Sequence, residues 1–396
     1  MTLPRRDVAI DWMRGIVMVL MTIDHASEFF NVGRFHGDSA YLVDPRTGAP
    51  IWRGSEALDL VQFFTRNVTH LCAPTFLFLA GASVSMSMAR RKHQGAGDSG
   101  FDRHLVVRGF VLFGFEGLLS LLADQGVLIL QVLWAIGVSL ILAPWTRRLS
   151  ASKQFVLGIG WIVGGELITR AVCPIGRPVG VLGEMFLAPS LSAPITSLYP
   201  ALHWFAIFVL GQAFGSHMMS LRESTESRER RLSKTLLRAG LVCLAIFVVL
   251  RAIDGYGNMG LHRAASAARS TIENAVLWLH VSKYPPSITF VALELGVMAL
   301  VLAALMRLAQ PRSEGHARAF ATRNPILVFG QTALFYYIAH FLLIGSALVL
   351  SGVPYASRGL GATFSVAALC WIVLYPMCLG YRTLKRRYPQ SVLRYL

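Results

Sequence analysis

Apolar positions along the chain gather into ten runs, at 10–30, 58–89, 104–123, 126–145, 153–172, 199–219, 235–253, 285–308, 325–349 and 359–381. A helix needs roughly 20 largely apolar residues to cross the hydrocarbon core of a bilayer, and each run comes close to that length. The second is too long for one simple crossing. Pro74 marks a kink or break within it, because proline removes a helix hydrogen bond and clashes with the preceding turn, so its apolar part is about Leu71 to Met88. The pattern predicts an all-α fold: a polytopic helical bundle of about ten transmembrane helices forming a single domain over 1–396.

Basic residues punctuate these runs. Arg90-Arg91-Lys92, Arg147-Arg148, Arg228 to Arg231 and Arg382 to Arg387 sit at their ends, and short cytoplasmic loops carry such an excess of Lys and Arg. Both termini are therefore expected in the cytoplasm, with 90–103, 146–152, 220–234 and 309–324 as inner loops and 31–57, 173–198 and 254–284 outside. An odd number of crossings would put Arg5-Arg6 and the basic tail Arg382 to Arg394 on opposite sides. Among the outer loops, Thr271 to Val281 carries Ile272, Ala275, Val276 and Leu279 at the spacing of an amphipathic interfacial turn. The mixed run Arg222 to Arg231 is expected as a solvated inner loop.

The chain has 396 residues, of which 54% are hydrophobic and 15% charged, below the roughly 25% charge of an average soluble domain. Its formal charge of +16, from 37 Lys and Arg against 21 Asp and Glu, would suggest nucleic acid on a soluble protein. The gathering of that charge in short blocks at the ends of the apolar runs argues against nucleic acid as a partner. Cys72, Cys173, Cys243, Cys370 and Cys378 form no CxxC pair and read as buried, inert thiols. The N-terminal run holds Asp11, Asp24 and His25 and lacks a small-residue cleavage site, so it is expected to remain as the first helix.

Ionisable groups inside a crossing cost a few kcal/mol each, so they usually face the protein interior and often do chemistry. Arg14 and His25 lie within about 20° of one face of the first helix and ~16 Å apart along its axis, so one stripe runs from the inner interface to the outer half. Asp24 neighbours His25 in sequence but points about 100° away. A carboxylate that reaches His25 fixes its tautomer and raises its basicity, as a general base for an alcohol or amine requires; a hydrogen bond to another helix makes the same histidine merely structural. His70 stands level with His25 on the next crossing. Tyr199, His203 and Trp204 begin the sixth run, and Lys283, Tyr284, Pro285 and Pro286 begin the eighth. Prolines suit a first helical turn, and the aromatics also fit an interfacial belt. Tyr336, Tyr337 and His340 lie in the ninth. Glu116, Glu166, Glu294, Gln131, Gln212 and Gln331 are expected to link helices by hydrogen bonds. With no HExxH, P-loop or Rossmann pattern, neither a metal nor a nucleotide site of those classes is expected.

Asp11-Trp12-Met13-Arg14-Gly15 followed by Asp24-His25 resembles the first helix of bacterial membrane proteins related to heparan-alpha-glucosaminide N-acetyltransferase. In the same order come Ala73 to Gly81, Tyr199-Pro200 to Gly215, Lys283 to Ser287, and Val328-Phe329-Gly330 through Tyr337 to His340, so the resemblance spans 5 to about 345. The Arg14 and His25 spacing also resembles a motif of the wider transmembrane acyltransferases that decorate extracytoplasmic glycans. The resemblance implies an acyltransferase of the cytoplasmic membrane that moves an acetyl or other acyl group from acyl-CoA to an extracytoplasmic sugar or glycan. It implies Arg14 at the donor and His25 as base, with Asp24 or His70 orienting it or stabilising charge. His203, Lys283, Tyr284 and His340 are the implied acceptor-site residues. In the lysosomal member the catalytic histidine falls in the first luminal loop, where His36 is the match by region. Direct transfer and an acyl-histidine route both fit. The expected partners are membrane lipids, acyl-CoA and the acceptor; a homo-oligomer is compatible with them. The rival expectations are a proton-coupled secondary transporter or exporter, and a noncatalytic envelope subunit.

Overall fold

The computed structural model describes residues 8–52, 59–93, 95, 99–123, 126–177, 180–191, 194–221, 225–262, 269–308, 323–388 and 391. The basic stretch Arg5-Arg6, the inner loop 309–324 as far as residue 322, and the tail beyond 391 lie outside the described residues.

Helices cover every expected run: α1 Val8–Phe30, α2 Leu60–Thr69, α3 Cys72–His93, α4 Ser99–Leu122, α5 Val132–Thr146, α6 Ala151–Val172, then the short α7 Val181–Phe186. They continue with α8 Ala201–Ser220, α9 Thr225–Ile253, α10 Thr271–Leu279, α11 Ile288–Leu308, α12 Pro325–Gln331, α13 Ala333–Ser351 and α14 Leu360–Arg387. Among the described residues seven stretches are long and apolar enough to cross a membrane: α2 with α3, α4, α6, α9, α11, α13 and α14. The protein is a multi-pass helical membrane protein.

The break expected near Pro74 holds, while three other local expectations change. The run at 126–145 is not helical from its start: β1 (Leu128–Leu130) pairs in parallel with β2 (Ile195–Ser197), and α5 begins only at Val132. Glu116 explains that boundary, because its carboxylate accepts the Gln131 and Trp134 backbone N–H groups at 2.5 and 3.0 Å, capping a helix start that lacks its own donor satisfaction. The long second run breaks at His70-Leu71, just ahead of Pro74, as the ring's clash with the preceding turn demands. The run 325–349 also breaks, at Thr332, whose hydroxyl turns back to the Val328 carbonyl at 2.8 Å. Finally, α9 begins at Thr225, so Arg228 to Arg231 belong to a helix and not to a loop. The predicted interfacial turn is the helix α10, closed by a Ser270 and Glu273 capping box, but Val276 and Leu277 are its buried residues while Ile272 is exposed.

The interior is built around α1, which packs against α12, α13, α14 and α3, while α3 lies along α8. Two crossings are backbone to backbone. A Cβ on Gly15 would run into the Ile326 backbone and one on Gly330 into that of Asp11; Gly81 and Gly211 stand in the same relation to Phe208 and Phe78. Small residues allow this approach where lipid gives helices no hydrophobic reason to associate. Of the other buried amide and acidic groups, Glu166 accepts the Gly257 N–H at 2.9 Å and pairs with Arg170 at 2.6 Å. Gln212 accepts the Thr146 hydroxyl at 2.7 Å, and Gln331 accepts Arg382 at 3.1 Å.

Candidate active site

Two cavities lie in series along α1. The larger, of about 380 Å³, reaches from Asp11, Arg14 and Met18 to residues at the end of α3, the start of α4 and the end of α14. Its walls are apolar, but basic side chains stud them: Arg14, Arg90, His104, Arg108 and Lys385. Arg14 is held by Asp11 at 3.1 Å, by the Ser83 hydroxyl and by the Leu79 carbonyl at 3.5 Å. Arg108 Nε is buried with no hydrogen-bond partner among the described residues.

The smaller cavity, of about 30 Å³, lies farther along α1 and is lined by Asp24, His25, Thr69, Cys72, Gln131, Tyr199 and Lys283 among others. Phe76, Val132 and Tyr337 line both cavities, so three side chains form the collar between the cationic chamber and the imidazole.

Asp24 and His25 go to different partners. The Asp24 carboxylate accepts Arg66 at 2.7 Å, Arg34 at 3.1 Å and the Thr69 hydroxyl at 2.7 Å. His25 Nδ1 meets His340 Nε2 at 2.6 Å, and Phe341 packs on the His25 ring at 4.1 Å between centroids. The orienting carboxylate foreseen for His25 is thus replaced by an imidazole from α13. His340 is completely buried, lines neither cavity and stands behind His25.

His70 is likewise set back. Its Nε2 sits 3.2 Å from Asp38, which also accepts Arg66 at 2.9 Å, while His280 approaches the other Asp38 oxygen at 3.7 Å. Burial alone would raise the Asp38 carboxyl, but His70 and Arg66 outweigh it and hold the group well below the usual carboxylate range. Arg66 therefore bridges Asp24, beside the small cavity, to Asp38 on the segment between α1 and α2. The Asp38 carbonyl accepts the Lys283 and Tyr284 N–H groups at 3.0 and 3.3 Å, which ties down the approach to α11.

Lys283 is buried and lines the small cavity, with its ammonium 5.2 Å from the Tyr284 ring centre. Tyr284 supports that wall from outside it: its hydroxyl accepts Arg66 at 3.4 Å and its ring meets Tyr199 at 5.5 Å. His203 does not join the site. It bonds the Thr169 hydroxyl at 2.8 Å and packs against Trp161 at 5.8 Å between the rings, in the seam of α6 and α8. His36 is exposed and lines neither cavity.

Sequence reasoning passed over Arg66, Arg34, Asp38, His104 and Arg108. The rule that an ionisable residue within a crossing deserves scrutiny was enough to find Arg66 and Arg108, both inside expected runs. Asp38, in a loop rich in polar residues, carries no such signal.

Residues 53–251 match the family described as heparan-alpha-glucosaminide N-acetyltransferase, catalytic. The chain belongs to that family. Membership in the heparan-alpha-glucosaminide N-acetyltransferase family makes it a membrane acetyltransferase-like protein. The matched stretch runs from just before α2 into α9 and includes Arg66, His70, Arg108 and His203; Arg14, His25, Lys283 and His340 fall outside it. No curated protein matches the chain.

Proposed function

We propose that the protein is an acyltransferase that carries an acetyl or other acyl group from cytoplasmic acyl-CoA to an extracytoplasmic sugar or glycan. The observation that supports this most directly is the pair of cavities that meet at Phe76, Val132 and Tyr337, with arginines at one end and an imidazole at the other. A donor with a multiply charged phosphate end, a long apolar-walled path and a reacting carbonyl at its tip matches that order. In this reading all ten helical runs cross the cytoplasmic membrane, both termini are cytoplasmic and the chain is one domain.

Arg14, Arg90, Arg108 and Lys385 would hold the phosphates. Guanidinium groups suit this because they stay charged and offer a fork of donors. The thioester passes the collar to reach His25. His25 takes the proton from the acceptor hydroxyl or amine as its oxygen or nitrogen attacks the thioester carbon. The Lys283 ammonium faces the charge that grows on the carbonyl oxygen. As the tetrahedral centre collapses the C–S bond breaks, and His25 returns the proton to the thiolate of CoA. Asp24, fixed by two arginines, offers an acceptor for a sugar hydroxyl beside His25.

A specific observation also speaks for a proton-coupled transporter. Two crossings, α2 with α3 and α12 with α13, are interrupted beside α1, and transporters build binding sites from interrupted helices. One experiment separates the two: purified protein in liposomes is given acetyl-CoA and a glucosaminide acceptor, and release of the CoA thiol is followed for wild type, His25→Ala, His70→Ala and Arg14→Ala. Turnover in the wild type with a loss of 10²-fold or more in His25→Ala is expected. Full activity in His25→Ala would remove the assignment of the base, and solute-driven proton flux without thiol release would favour transport.

A further inference from the structure

The contact between His25 and His340 has only one arrangement of protons that satisfies its neighbours when both rings are neutral. His340 Nδ1 lies 3.1 Å from the Tyr336 backbone carbonyl, one turn back along α13. A carbonyl oxygen only accepts, so Nδ1 carries the His340 proton. His340 Nε2 is then a lone pair. It lies 2.6 Å from His25 Nδ1, which must in turn be the nitrogen that carries the proton. That leaves the lone pair of His25 on Nε2. Among the described residues no hydrogen bond engages this atom, and His25 lines the small cavity whereas His340 does not.

We infer that His340 is a positioning residue that fixes His25 in the tautomer whose basic nitrogen faces the small cavity. The chain Tyr336 carbonyl, His340, His25 does what an acid does behind a catalytic imidazole, but without a charge. A buried carboxylate there would stabilise imidazolium at rest; a neutral imidazole holds the geometry and leaves the base unprotonated until the acceptor arrives. Packing enforces the same arrangement. The His25 ring is held between His340, whose ring meets it edge to edge at 4.9 Å and 29°, and Phe341 at 4.1 Å, with Tyr337 edge-on at 6.2 Å. His340 itself is stacked at 5.8 Å on Tyr336, whose hydroxyl is paired with Thr22 of α1 at 2.6 Å. A change of tautomer in either histidine alone would present two donors, or two lone pairs, to each other across 2.6 Å, and a ring flip would put a carbon in place of one nitrogen. The charged groups that face His25 are Asp24 beside it on α1 and, from other elements, Arg34 and Lys283.

This inference rests on the acyltransferase reading only for its consequence in turnover; the proton positions stand on geometry alone. The direct test is nitrogen NMR of the full protein in nanodiscs with ¹⁵N-labelled histidine, the His25 signals being assigned by their loss in His25→Gln. For neutral His25 the expected spectrum has Nδ1 protonated and Nε2 bare, and His340→Phe, which keeps a ring but offers no acceptor, shifts His25 toward the opposite tautomer. A bare Nδ1 on His25 in the wild type, or a tautomer unchanged by His340→Phe, overturns the inference, and the wild-type spectrum decides even if that variant does not fold. In turnover of acetyl-CoA with methyl glucosaminide, His340→Phe is expected to lower kcat by about 10²-fold with KM for acetyl-CoA nearly unchanged, and His340→Gln, whose carbonyl still accepts from Nδ1, to recover at least about tenfold of that loss. Equal kcat loss in His340→Gln and His340→Phe counts against positioning through the hydrogen bond. Wild type that shows the expected tautomer but no thiol release with this acceptor would contradict the acyltransferase reading and leave the imidazole geometry intact.

Discussion

Arg66 connects two acidic side chains that the sequence keeps well apart, Asp24 on α1 and Asp38 in the segment after it. All three are buried or nearly so, and removing one partner of a buried ion pair leaves the others uncompensated, at about 3–5 kcal/mol. Arg66→Met is therefore expected to lower stability by an amount of that order, seen as a large drop in the unfolding temperature in detergent, whereas Arg34→Met, which leaves Asp24 its bond to Arg66, is expected to cost much less. Equal losses would show that the bridge to Asp38 is not what Arg66 contributes. The same region shows what single residues reveal before any fold is known. Arg14, Asp24, His25, Lys283 and His340 stand out because charge and imidazole are rare in apolar runs, and four of them line a cavity. Their partners do not stand out: nothing in the spacing of residues 25 and 340 announces that their rings touch, and His203, equally conspicuous, serves only the α6 and α8 seam.

Helix positions were readable because a bilayer demands about 20 apolar residues at a time, a longer and cleaner signal than any soluble helix gives. Interruptions were readable only where proline marks them. Pro74 betrayed the break between α2 and α3, but the break at Thr332 is made by a side chain bonding back to its own helix and has no comparable signature. Short strands were invisible for a related reason: Leu128–Leu130 is apolar and looks like the beginning of α5 until Ile195–Ser197 is seen to pair with it. Close helix crossings supply a test at this level. Gly330→Ala would drive a methyl into the Asp11 backbone, and overpacking of this kind costs about 1–3 kcal/mol. Gly345→Ala on the neighbouring α13 meets open space and should be neutral or stabilising by up to about 1 kcal/mol, as alanine is the better helix former. Thermal unfolding of the two variants side by side checks this, and a harmless Gly330→Ala would mean that α1 and α12 can separate without cost.

Across the molecule, the proposed mechanism rests on the order of features along α1: a cationic chamber, a three-residue collar, then an imidazole backed by a second imidazole. Two consequences concern the chamber and collar as a unit. CoA should raise the unfolding temperature of the wild type, since a ligand at 100 times its Kd stabilises by about 2.7 kcal/mol, and Arg108→Ala should weaken that binding by about tenfold or more, as loss of a charge-assisted hydrogen bond does. Phe76→Trp, which adds bulk at the collar, should leave CoA binding in place while lowering transfer; weaker CoA binding and unchanged transfer would invert the assignment of the two cavities. The most direct measurement is the structure of the protein bound to a thioether analogue of acetyl-CoA. The phosphates are expected against Arg14 and Arg108, with the sulfur beyond Phe76 and beside His25 Nε2. Phosphates bound at the Lys283 end, or an acyl tip that stops short of the collar with His25 closed off from it, would contradict the passage from one cavity to the other on which the proposed transfer depends.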